Sequence, residues 1–311
     1  MKKTNFDKND YRGRFAPSPS GELHFGSLLA AMASYADARH HKGHWLVRID
    51  DIDQARVVTH SDKHILTTLE QCGFQWDERV TYQSQCLKHY QQALEKLNRA
   101  ELIYPCSCSR KQINAISDSL NKSKGVYPGT CRNKPAQTFP VNSKSNEKRA
   151  IRIKVPEKDL SFTDQIQHNF VQNLSRDVGD FVIYRRDKIF SYQLSVVIDD
   201  FQSNITHIVR GYDLLDSTPR QIYLQQQLGY PQPQYAHIPL AVTKENLKLS
   251  KLSHAKKVNC TLEMLVLAAT FLGQSSLTHK DFDNKDDFWQ YLVTHWDINK
   301  VPKMEKQMIM V

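Results

Sequence analysis

The sequence lacks any apolar run that approaches the length of a membrane-spanning helix. Its N-terminus, MKKTNFDKNDYR, is polar and has no apolar segment of the kind that a secretory signal requires. Both absences argue against a membrane or secreted protein. We therefore expect a cytoplasmic protein that makes no contact with a membrane.

Cysteine is also scarce, with six residues in the chain. In a cytosolic protein of this size, six cysteines are not expected to form a disulfide framework. Cys72, Cys86 and Cys260 are scattered, and packing in the core is the default expectation for them. The other three cysteines cluster between residues 106 and 131, which indicates a metal site.

The chain has 311 residues, enough for one large domain with an insertion or for two modest domains. Its formal net charge is +9 and its isoelectric point is about 9.1. A basic protein suits a polyanionic partner, and nucleic acid is the first candidate. Many soluble proteins are mildly basic, however, so charge alone does not decide the partner.

Strand and helix patterns alternate in the first third of the chain. Strands are predicted at 11–16 (YRGRFA) and 44–50 (HWLVRID), and helices from about Gly26, at 61–73 with Ser61 as N-cap, and at 84–102. The alternation of strand and helix patterns is interrupted from Tyr104 to about Pro156. The regular pattern resumes at 149–155, 181–186, 192–200 and 205–211, a capped helix is predicted at 217–229, and the chain after residue 250 looks helical. This alternation predicts an α/β fold with a parallel sheet and helical crossovers.

The first segment with a chemical signature is RFAPSPSGELHFGS, from Arg14 to Ser27. A strand ends there, a stiff proline turn follows, and a helix starts, so backbone N–H groups at the helix N-terminus form a natural phosphate site. His24 can donate a hydrogen bond at this point, and Gly26 allows a nucleotide to approach closely. The alternative is an ordinary strand–helix loop with an incidental histidine.

The second segment is KLSKL, which begins at Lys248 and contains Ser250 and Lys251. Lysines on a mobile loop can neutralise a triphosphate while charge moves onto a leaving pyrophosphate. Taken alone this signal is weak, because Lys-x-x-Lys is common on protein surfaces.

Together and in this order, the two segments resemble the HIGH and KMSKS signatures of class I aminoacyl-tRNA synthetases. The surrounding sequences RFAPSPSGELHFGSLLAA, VRIDDID, SYQLSVVIDD and VRGYDLLDSTPRQIYL resemble those of glutamyl-type synthetases. The resemblance extends from about Arg12 to Leu252. It implies a Rossmann-type parallel sheet with a zinc-bearing insertion and a small helical C-terminal region.

The resemblance also implies a division of the chain. The expected parts are the first half of the Rossmann catalytic domain at 1–103, the insertion at 104–165, the second half at 166–240, and the KMSKS-like loop with a helical region at 241–311.

Site residues follow from the same resemblance. His24 and Lys251 are expected to be catalytic. Residues expected to bind ATP, together with Mg²⁺, are Pro17, His24, Gly26, Ser27, Lys248, Ser250 and Lys251. Residues expected to bind glutamate are Arg14, Phe15, Ala16, Pro17, Ser18, Asp50, Tyr192 and Arg210.

The assignment of residues to glutamate binding also has a chemical rationale. Arg14 and Arg210 lie at predicted strand ends, where a parallel sheet places its ligands, and arginine binds carboxylates in a bidentate manner. Tyr192 can add a hydroxyl group. The family usually has glutamate where this chain has Asp50, so its contact with the substrate ammonium is expected to be longer or bridged by water. The alternatives are surface ion pairs for the arginines and a capping or loop carboxylate for Asp50.

The clustered cysteines belong to the pattern Cys106-Ser107-Cys108, followed by Tyr127 and Cys131. Three thiolates supply most of a tetrahedral zinc shell. The segment between Tyr104 and Ala150 contains no histidine, so the phenol of Tyr127 is the best local candidate for a fourth ligand. Small proteins of the glutamyl-synthetase type have such a site in their insertion, which implies a structural zinc. The alternative is three buried or idle cysteines.

Only 59 residues follow Leu252, which we expect to be too few for an anticodon-binding module. The chain resembles truncated glutamyl-tRNA synthetase paralogues that attach glutamate to the queuosine base of tRNA(Asp). The expected partners are therefore ATP, L-glutamate and tRNA(Asp) bearing queuosine, with the protein acting as a monomer. Two alternatives remain: a catalytic fragment of an ordinary glutamyl-tRNA synthetase that charges a tRNA 3′ end, and a non-catalytic tRNA-binding module.

Overall fold

A computed structural model describes residues 10–120, 123, 125–133, 149–242, 258–274 and 278–308. Lys248, Ser250 and Lys251, which were expected to bind ATP, lie outside the described residues. Within the described part of the chain, no helix is long and apolar enough to cross a membrane.

Strands and helices alternate along most of the chain. The strands are β1 (Arg12–Phe15), β2 (His44–Ile49), β3 (Thr81–Tyr82), β4 (Ile103–Cys106), β5 (Ala150–Ile153), β6 (Asp159–Asp164), β7 (His168–Asn173), β8 (Phe181–Tyr184), β9 (His207–Gly211), β10 (Gln234–Ile238), β11 (Leu240–Val242) and β12 (Lys306–Met308). The helices are α1 (Phe25–His40), α2 (Ser61–Gln71), α3 (Leu87–Arg99), α4 (Arg110–Ser119), α5 (Leu174–Asp177), α6 (Tyr192–Gln202), α7 (Thr218–Leu228), α8 (Leu262–Phe271) and α9 (Lys285–His295).

The central strands form a parallel arrangement, as the alternation predicted. β1, β2 and β3 pair in parallel, and β10 pairs in parallel with both β9 and β6, while β7 adds an antiparallel edge. The backbone N–H of Thr206, just before β9, donates to the carbonyl of Arg12 in β1 at 3.0 Å. The two sets of strands therefore lie side by side, and the ends of β1 and β9 border one cavity.

A second sheet contains β4, β5 and β8 in antiparallel order. It packs with α3, α6 and α7 in a core of its own. β8 follows residue 165 in the chain but pairs with β5, so this sheet joins segments on both sides of that position. Next to the sheet, α4 begins with a capping box between Ser109 and Gln112.

Of the four segments in which the regular pattern resumes, three contain strands and YQLSVVIDD forms helix α6. The hydroxyl of Ser191 caps this helix by accepting a hydrogen bond from the backbone N–H of Leu194. Every residue from Leu194 to Asp200 is buried. A helix that is covered on several sides has no amphipathic period, which is why its sequence resembles that of a buried strand.

Two local expectations were wrong. Ser61 is the first residue of α2 rather than its N-cap, which is His60. The Ser61 hydroxyl instead bonds both the N–H and the carbonyl of Gly21, because the loop after β1 packs against the start of α2. Cys72 and Cys260 were expected only to pack in the core, but they form a disulfide because the end of α2 meets the segment before α8.

The region after residue 258 is largely helical, as expected, and it packs against α1. Asp37, buried in α1, accepts hydrogen bonds from the hydroxyl of Tyr11 and from the indole N–H of Trp296 at 2.9 Å. This one carboxylate thereby connects the chain before β1 to the segment that follows α9.

We predict that Asp37→Ala lowers the free energy of unfolding by about 2–5 kcal/mol, because it leaves two buried donors without an acceptor. Denaturant-induced unfolding measures the change. Asp118→Ala, at an exposed position in α4, is the matched control and should change the stability by less than about 0.5 kcal/mol. Equal effects of the two substitutions would contradict the anchoring role of Asp37.

Candidate active site

A cavity of about 1000 Å³ lies where β1, β9 and the N-terminus of α1 meet. It is lined by the described residues that the sequence had nominated for glutamate and ATP, namely Arg14, Phe15, Ala16, Pro17, Ser18, His24, Gly26, Ser27, Asp50, Tyr192 and Arg210. The fold thus brings together residues that are distant in the sequence. Arg14 and Arg210, for example, are 196 positions apart.

The loop between β1 and α1 is held at several points. The N–H of Asp50 donates to the carbonyl of Pro17 at 2.9 Å, and the N–H of Val58 donates to the carbonyl of Pro19 at 2.9 Å. Ser61 fixes Gly21 in the same loop. These bonds keep the loop backbone in one position at the edge of the cavity, which is a requirement for binding a ligand through backbone groups.

His24 is the N-cap of α1. Its Nδ1 accepts a hydrogen bond from the backbone N–H of Ser27 at 3.2 Å, so a neutral ring carries its proton on Nε2. Burial lowers the pKa of His24, and the carboxylate of Asp213 only partly opposes this shift. A neutral histidine with an Nε2–H donor, 3.2 Å from the hydroxyl of Ser27, therefore stands beside the backbone amides at the start of α1, where an anion binds favourably.

Buried charges form a network that reaches the cavity through Arg14 and Asp50. Nε and Nη2 of Arg14 donate to the two carboxylate oxygens of Asp200 at 3.2 and 3.4 Å. Arg48 donates from Nη1 to Asp200 at 2.7 Å and from Nε to Asp50 at 2.8 Å, and its Nε lies 3.7 Å from Asp199. Two guanidinium groups thus face three carboxyl groups, so the network carries an excess negative charge when all are ionised.

The pKa values of the three carboxyl groups of the network shift in different directions. Burial raises the pKa of Asp50 to about 6, although Arg48 opposes the shift. Burial also raises the pKa of Asp199. For Asp200 burial acts in the same direction, but Arg14 and Arg48 outweigh it and lower the pKa. Asp50, which lines the cavity, is therefore the carboxyl group most ready to respond to a cationic ligand.

Arg210 has a different environment from Arg14. Its Nε donates to Nε2 of His237 at 3.0 Å, and its Nη2 donates to the hydroxyl of Thr218 at 2.8 Å and to the carbonyl of Leu214 at 3.4 Å. Its Nη1 is buried and has no hydrogen-bond partner among the described residues. The guanidinium therefore offers an unpaired donor next to the cavity.

The three clustered cysteines come together in a small core of their own. The sulfur atoms of Cys106, Cys108 and Cys131 all lie within 4.8 Å of one another. The hydroxyl of Tyr127 lies 3.4 Å from the sulfur of Cys106 and 3.9 Å from that of Cys108, and it accepts the backbone N–H of Cys131 at 2.9 Å. This group of side chains has a composition and spacing suited to a metal ion.

Gly179 has a packing role beside this cluster. A side-chain carbon at Gly179 would lie 2.3 Å from the carbonyl oxygen of Tyr127, and its φ of +74° is in the left-handed region. Glycine is therefore required there for the chain after α5 to approach Tyr127 closely.

Sequence reasoning missed several residues of the site. Arg48, Asp199 and Asp200 are buried and pair with Arg14 and Asp50, which line the cavity, and Asp213 lines the cavity beside His24. All four lie in segments that carried the family resemblance, VRIDDID, SYQLSVVIDD and VRGYDLLDSTPRQIYL. The signal was therefore present as charged residues in otherwise apolar segments. His237 is a different case, because nothing in its local sequence distinguishes it.

Comparison with known proteins agrees with this geometry. Residues 10–294 match the model of the class I tRNA synthetases of the E and Q type, catalytic domain. Fold, cavity and match together define the catalytic domain of a class I aminoacyl-tRNA synthetase. Similar proteins include a glutamyl-Q tRNA(Asp) synthetase of Neisseria gonorrhoeae, 47% identical over 94% of this chain and 98% of the relative. One of Pseudomonas aeruginosa is 44% identical over 95% and 96% of the two chains. The chain belongs to the glutamyl-Q tRNA(Asp) synthetase family.

The fold also resembles that of a solved glutamate-tRNA synthetase from Elizabethkingia anophelis. The TM-score is 0.78 at 24% identity, and the match covers 96% of this chain and 68% of that one. At this identity the similarity establishes a shared fold.

Proposed function

We propose that the protein activates L-glutamate with ATP and transfers it to the queuosine base in the anticodon of tRNA(Asp). The observation that carries the proposal is the charge arrangement in the cavity. An excess of carboxylate near Asp50 suits the ammonium group of an amino acid, and the unpaired Nη1 of Arg210 suits a carboxylate. The names of the similar proteins support the same acceptor.

In the proposed activation step, a carboxylate oxygen of glutamate attacks the α-phosphorus of ATP. A bond from carboxylate oxygen to phosphorus forms, the bond to the β-phosphate oxygen breaks, and pyrophosphate leaves with the bonding electrons. The Nε2–H of His24 and the amides at the start of α1 stabilise negative charge on the phosphate. Pro17, Gly26 and Ser27 shape the nucleotide pocket beside them.

Three residues outside the described structure complete the proposed ATP site. We assign Lys248, Ser250 and Lys251 to the phosphates, with Lys251 stabilising the charge that leaves on pyrophosphate. Mg²⁺ bound to ATP supplies further neutralisation of that charge.

In the proposed transfer step, a hydroxyl of the cyclopentenediol ring of queuosine attacks the carbonyl carbon of glutamyl-adenylate. An ester bond forms, the bond to the phosphate oxygen breaks, AMP leaves with the bonding electrons, and the attacking hydroxyl gives up its proton. The net charge of +9 supplies contacts to RNA phosphates, and unstacked loop bases are common targets of RNA recognition.

The other residues that are expected to bind the substrate glutamate have proposed roles that follow from their positions. Arg14, although paired with Asp200, borders the cavity, and Tyr192 presents a phenol from the start of α6. Phe15, Ala16 and Ser18 form the wall of the pocket after β1. We also propose that the chain divides into parts after residues 103, 165 and 240, and that the insertion at 104–165 receives an anticodon hairpin. We further propose that the protein is a cytoplasmic monomer.

We propose that Cys106, Cys108, Tyr127 and Cys131 hold a structural zinc ion. Zinc bonds sulfur at about 2.3 Å, so a tetrahedral site needs sulfur atoms about 3.8 Å apart. The sulfur atoms of Cys108 and Cys131 lie 3.5 Å apart, and the phenol oxygen lies at a similar distance from two sulfurs. The side chains thus fit the ion, and they lie outside the cavity, which supports a role in ordering the insertion.

The acceptor is tested by incubating the protein with radioactive glutamate, ATP and tRNA(Asp) that carries queuosine. We expect the label on the queuosine nucleotide after nuclease digestion, and none on tRNA(Asp) from cells that cannot make queuosine. Label on the terminal adenosine would instead favour an ordinary glutamyl-tRNA synthetase fragment. Failure of glutamate-dependent ATP–pyrophosphate exchange would favour a non-catalytic module.

We predict an acid limb in the pH profile of kcat/KM for glutamate in pyrophosphate exchange. Asp50, with a pKa raised to about 6 by burial, loses its negative charge as the pH falls through that value, so binding of the ammonium group weakens. Asp50→Glu should keep the acid limb. Asp50→Asn should lower the activity at neutral pH and abolish the acid limb. A limb that persists in the Asn variant would belong to another group.

We predict about one zinc ion per chain by elemental analysis of the purified protein. The double variant Cys106→Ser, Cys108→Ser should lose the metal, because two of its four ligands are changed. Cys86→Ser, which changes a cysteine outside the cluster, should retain it. Zinc retained by the double variant would contradict the proposed ligand set.

A further inference from the structure

A buried pair of side chains, Asp164 and His237, lies behind Arg210. Oδ2 of Asp164 and Nδ1 of His237 are 2.5 Å apart, and Nε2 of His237 accepts the Nε–H of Arg210 at 3.0 Å. Asp164 and His237 are both fully buried. Neither lines the cavity, so they reach a ligand only through Arg210.

The protonation of Asp164 follows from its donors. Its Oδ1 accepts backbone N–H groups from Ile166 at 3.0 Å, Gln167 at 2.9 Å and His237 at 3.1 Å. Burial tends to raise the pKa of Asp164, but the hydrogen bonds from the ring of His237 and from the backbone amides of Gln167 and His237 outweigh burial and lower it. Asp164 is therefore an ionised carboxylate that can only accept hydrogen bonds.

The protonation of His237 follows from its burial and from the carboxylate of Asp164 that faces it. Burial lowers its pKa to about 4, with Arg210 acting in the same direction and Asp164 opposing. The ring is thus neutral near pH 7 and has one proton. Because a carboxylate faces Nδ1, the proton lies on Nδ1, and Nε2 is left with a lone pair that accepts from Arg210.

The direct partners of Arg210 are consequently all neutral. Three arginines line the cavity within the described residues, and the other two have carboxylate partners: Arg14 is bonded to Asp200 and Arg56 to Asp53. Arg210 is fixed by His237 and by the hydroxyl of Thr218, while its charge stays uncompensated by direct contact. The guanidinium of Arg210 is therefore held in a fixed orientation, and its positive charge remains available to an anionic ligand.

We infer that Asp164 and His237 are positioning residues that hold Arg210 ready for the carboxylate of glutamate, by keeping a neutral Nδ1–H histidine behind its guanidinium. The inference rests on the proposed function, because it takes glutamate as the ligand of Arg210. It adds a selective effect: the pair should influence the binding of glutamate and leave the binding of ATP unchanged.

Asp164→Asn tests the tautomer. Three backbone N–H groups face the Oδ1 position, so the amide oxygen must occupy it and the amide NH₂ must face Nδ1 of His237. The proton of His237 then moves to Nε2, where it opposes the N–H of Arg210. The hydroxyl of Thr218, 3.2 Å from Nε2, can accept this new Nε2–H, so the buried donor left without an acceptor is the Nε–H of Arg210. Its loss of a partner should raise KM for glutamate on the order of 10-fold. KM for ATP should stay within about twofold.

Substitutions at His237 provide the matched pair. His237→Leu removes the acceptor and should raise KM for glutamate as Asp164→Asn does. His237→Gln keeps both functions, since its NH₂ can donate to Asp164 while its oxygen accepts from Arg210, and it should restore most of the affinity. A purely structural role would instead lower thermal stability and change KM for both substrates together.

Nitrogen NMR of ¹⁵N-histidine-labelled protein examines the pair without any substrate. The resonances of His237, assigned from their loss in His237→Gln, should show a neutral ring protonated on Nδ1 at pH 7. A ring protonated on Nε2, or on both nitrogens, would overturn the inference. Glutamate-dependent exchange that is normal in wild type and unchanged in His237→Leu would also overturn it. A wild type that does not activate glutamate would refute the proposed function instead, whatever the tautomer.

Discussion

The buried charges beneath the cavity constrain much of the structure. Arg14 comes from β1, Arg48 from β2, and Asp199 and Asp200 from α6. Buried ions are tolerated only when they are paired, and removing one partner typically costs about 3–5 kcal/mol. The pairs Arg14–Asp200 and Arg48–Asp200 therefore require both strands to lie directly beside α6. This requirement places the ends of the strands around one cavity.

The network is also bound into the second core. Asp199 accepts hydrogen bonds from the amide of Gln83 at 2.8 Å and from the hydroxyl of Tyr90 at 2.7 Å. Tyr90 belongs to α3, which packs with the antiparallel sheet. The carboxyl groups of α6 thus connect the parallel sheet to the sheet β4–β5–β8. The same buried charges border the cavity and join the two sheets.

Local patterns predicted much of the fold. β1, α1, β2 and α7 could be predicted because their signals lie within a few residues, as with Pro219 in the first turn of α7 and Gly229 at its C-cap. The type of α6 could not be predicted, since a continuous apolar run fits a buried helix and a buried strand equally well. The Cys72–Cys260 disulfide spans 188 residues, so no local signal indicated it.

The candidate site was foreseen to a similar extent. The motif after β1 and the family resemblance nominated cavity residues that the structure does bring together. They could not reveal which side chains hold each arginine, because Asp164 and His237, which lie behind Arg210, are 73 positions apart and become neighbours only when β6 pairs with β10. Pairing in space depends on strand order, which motif spacing does not specify.

Arg14 and Arg210 illustrate why this difference matters. In the sequence they are equivalent, each an arginine at a strand end that is expected to bind a carboxylate. In the structure Arg14 is bonded to Asp200, whereas Arg210 is held by neutral groups and keeps a buried donor without a partner. The first arginine is therefore neutralised by a buried carboxylate, and the second is the better receptor for an anion. The cavity is thus polarised, with the carboxyl group of Asp50 on one side and the uncompensated positive charge at Arg210. A ligand with an ammonium group and a distant carboxylate matches both ends, and glutamate has this form.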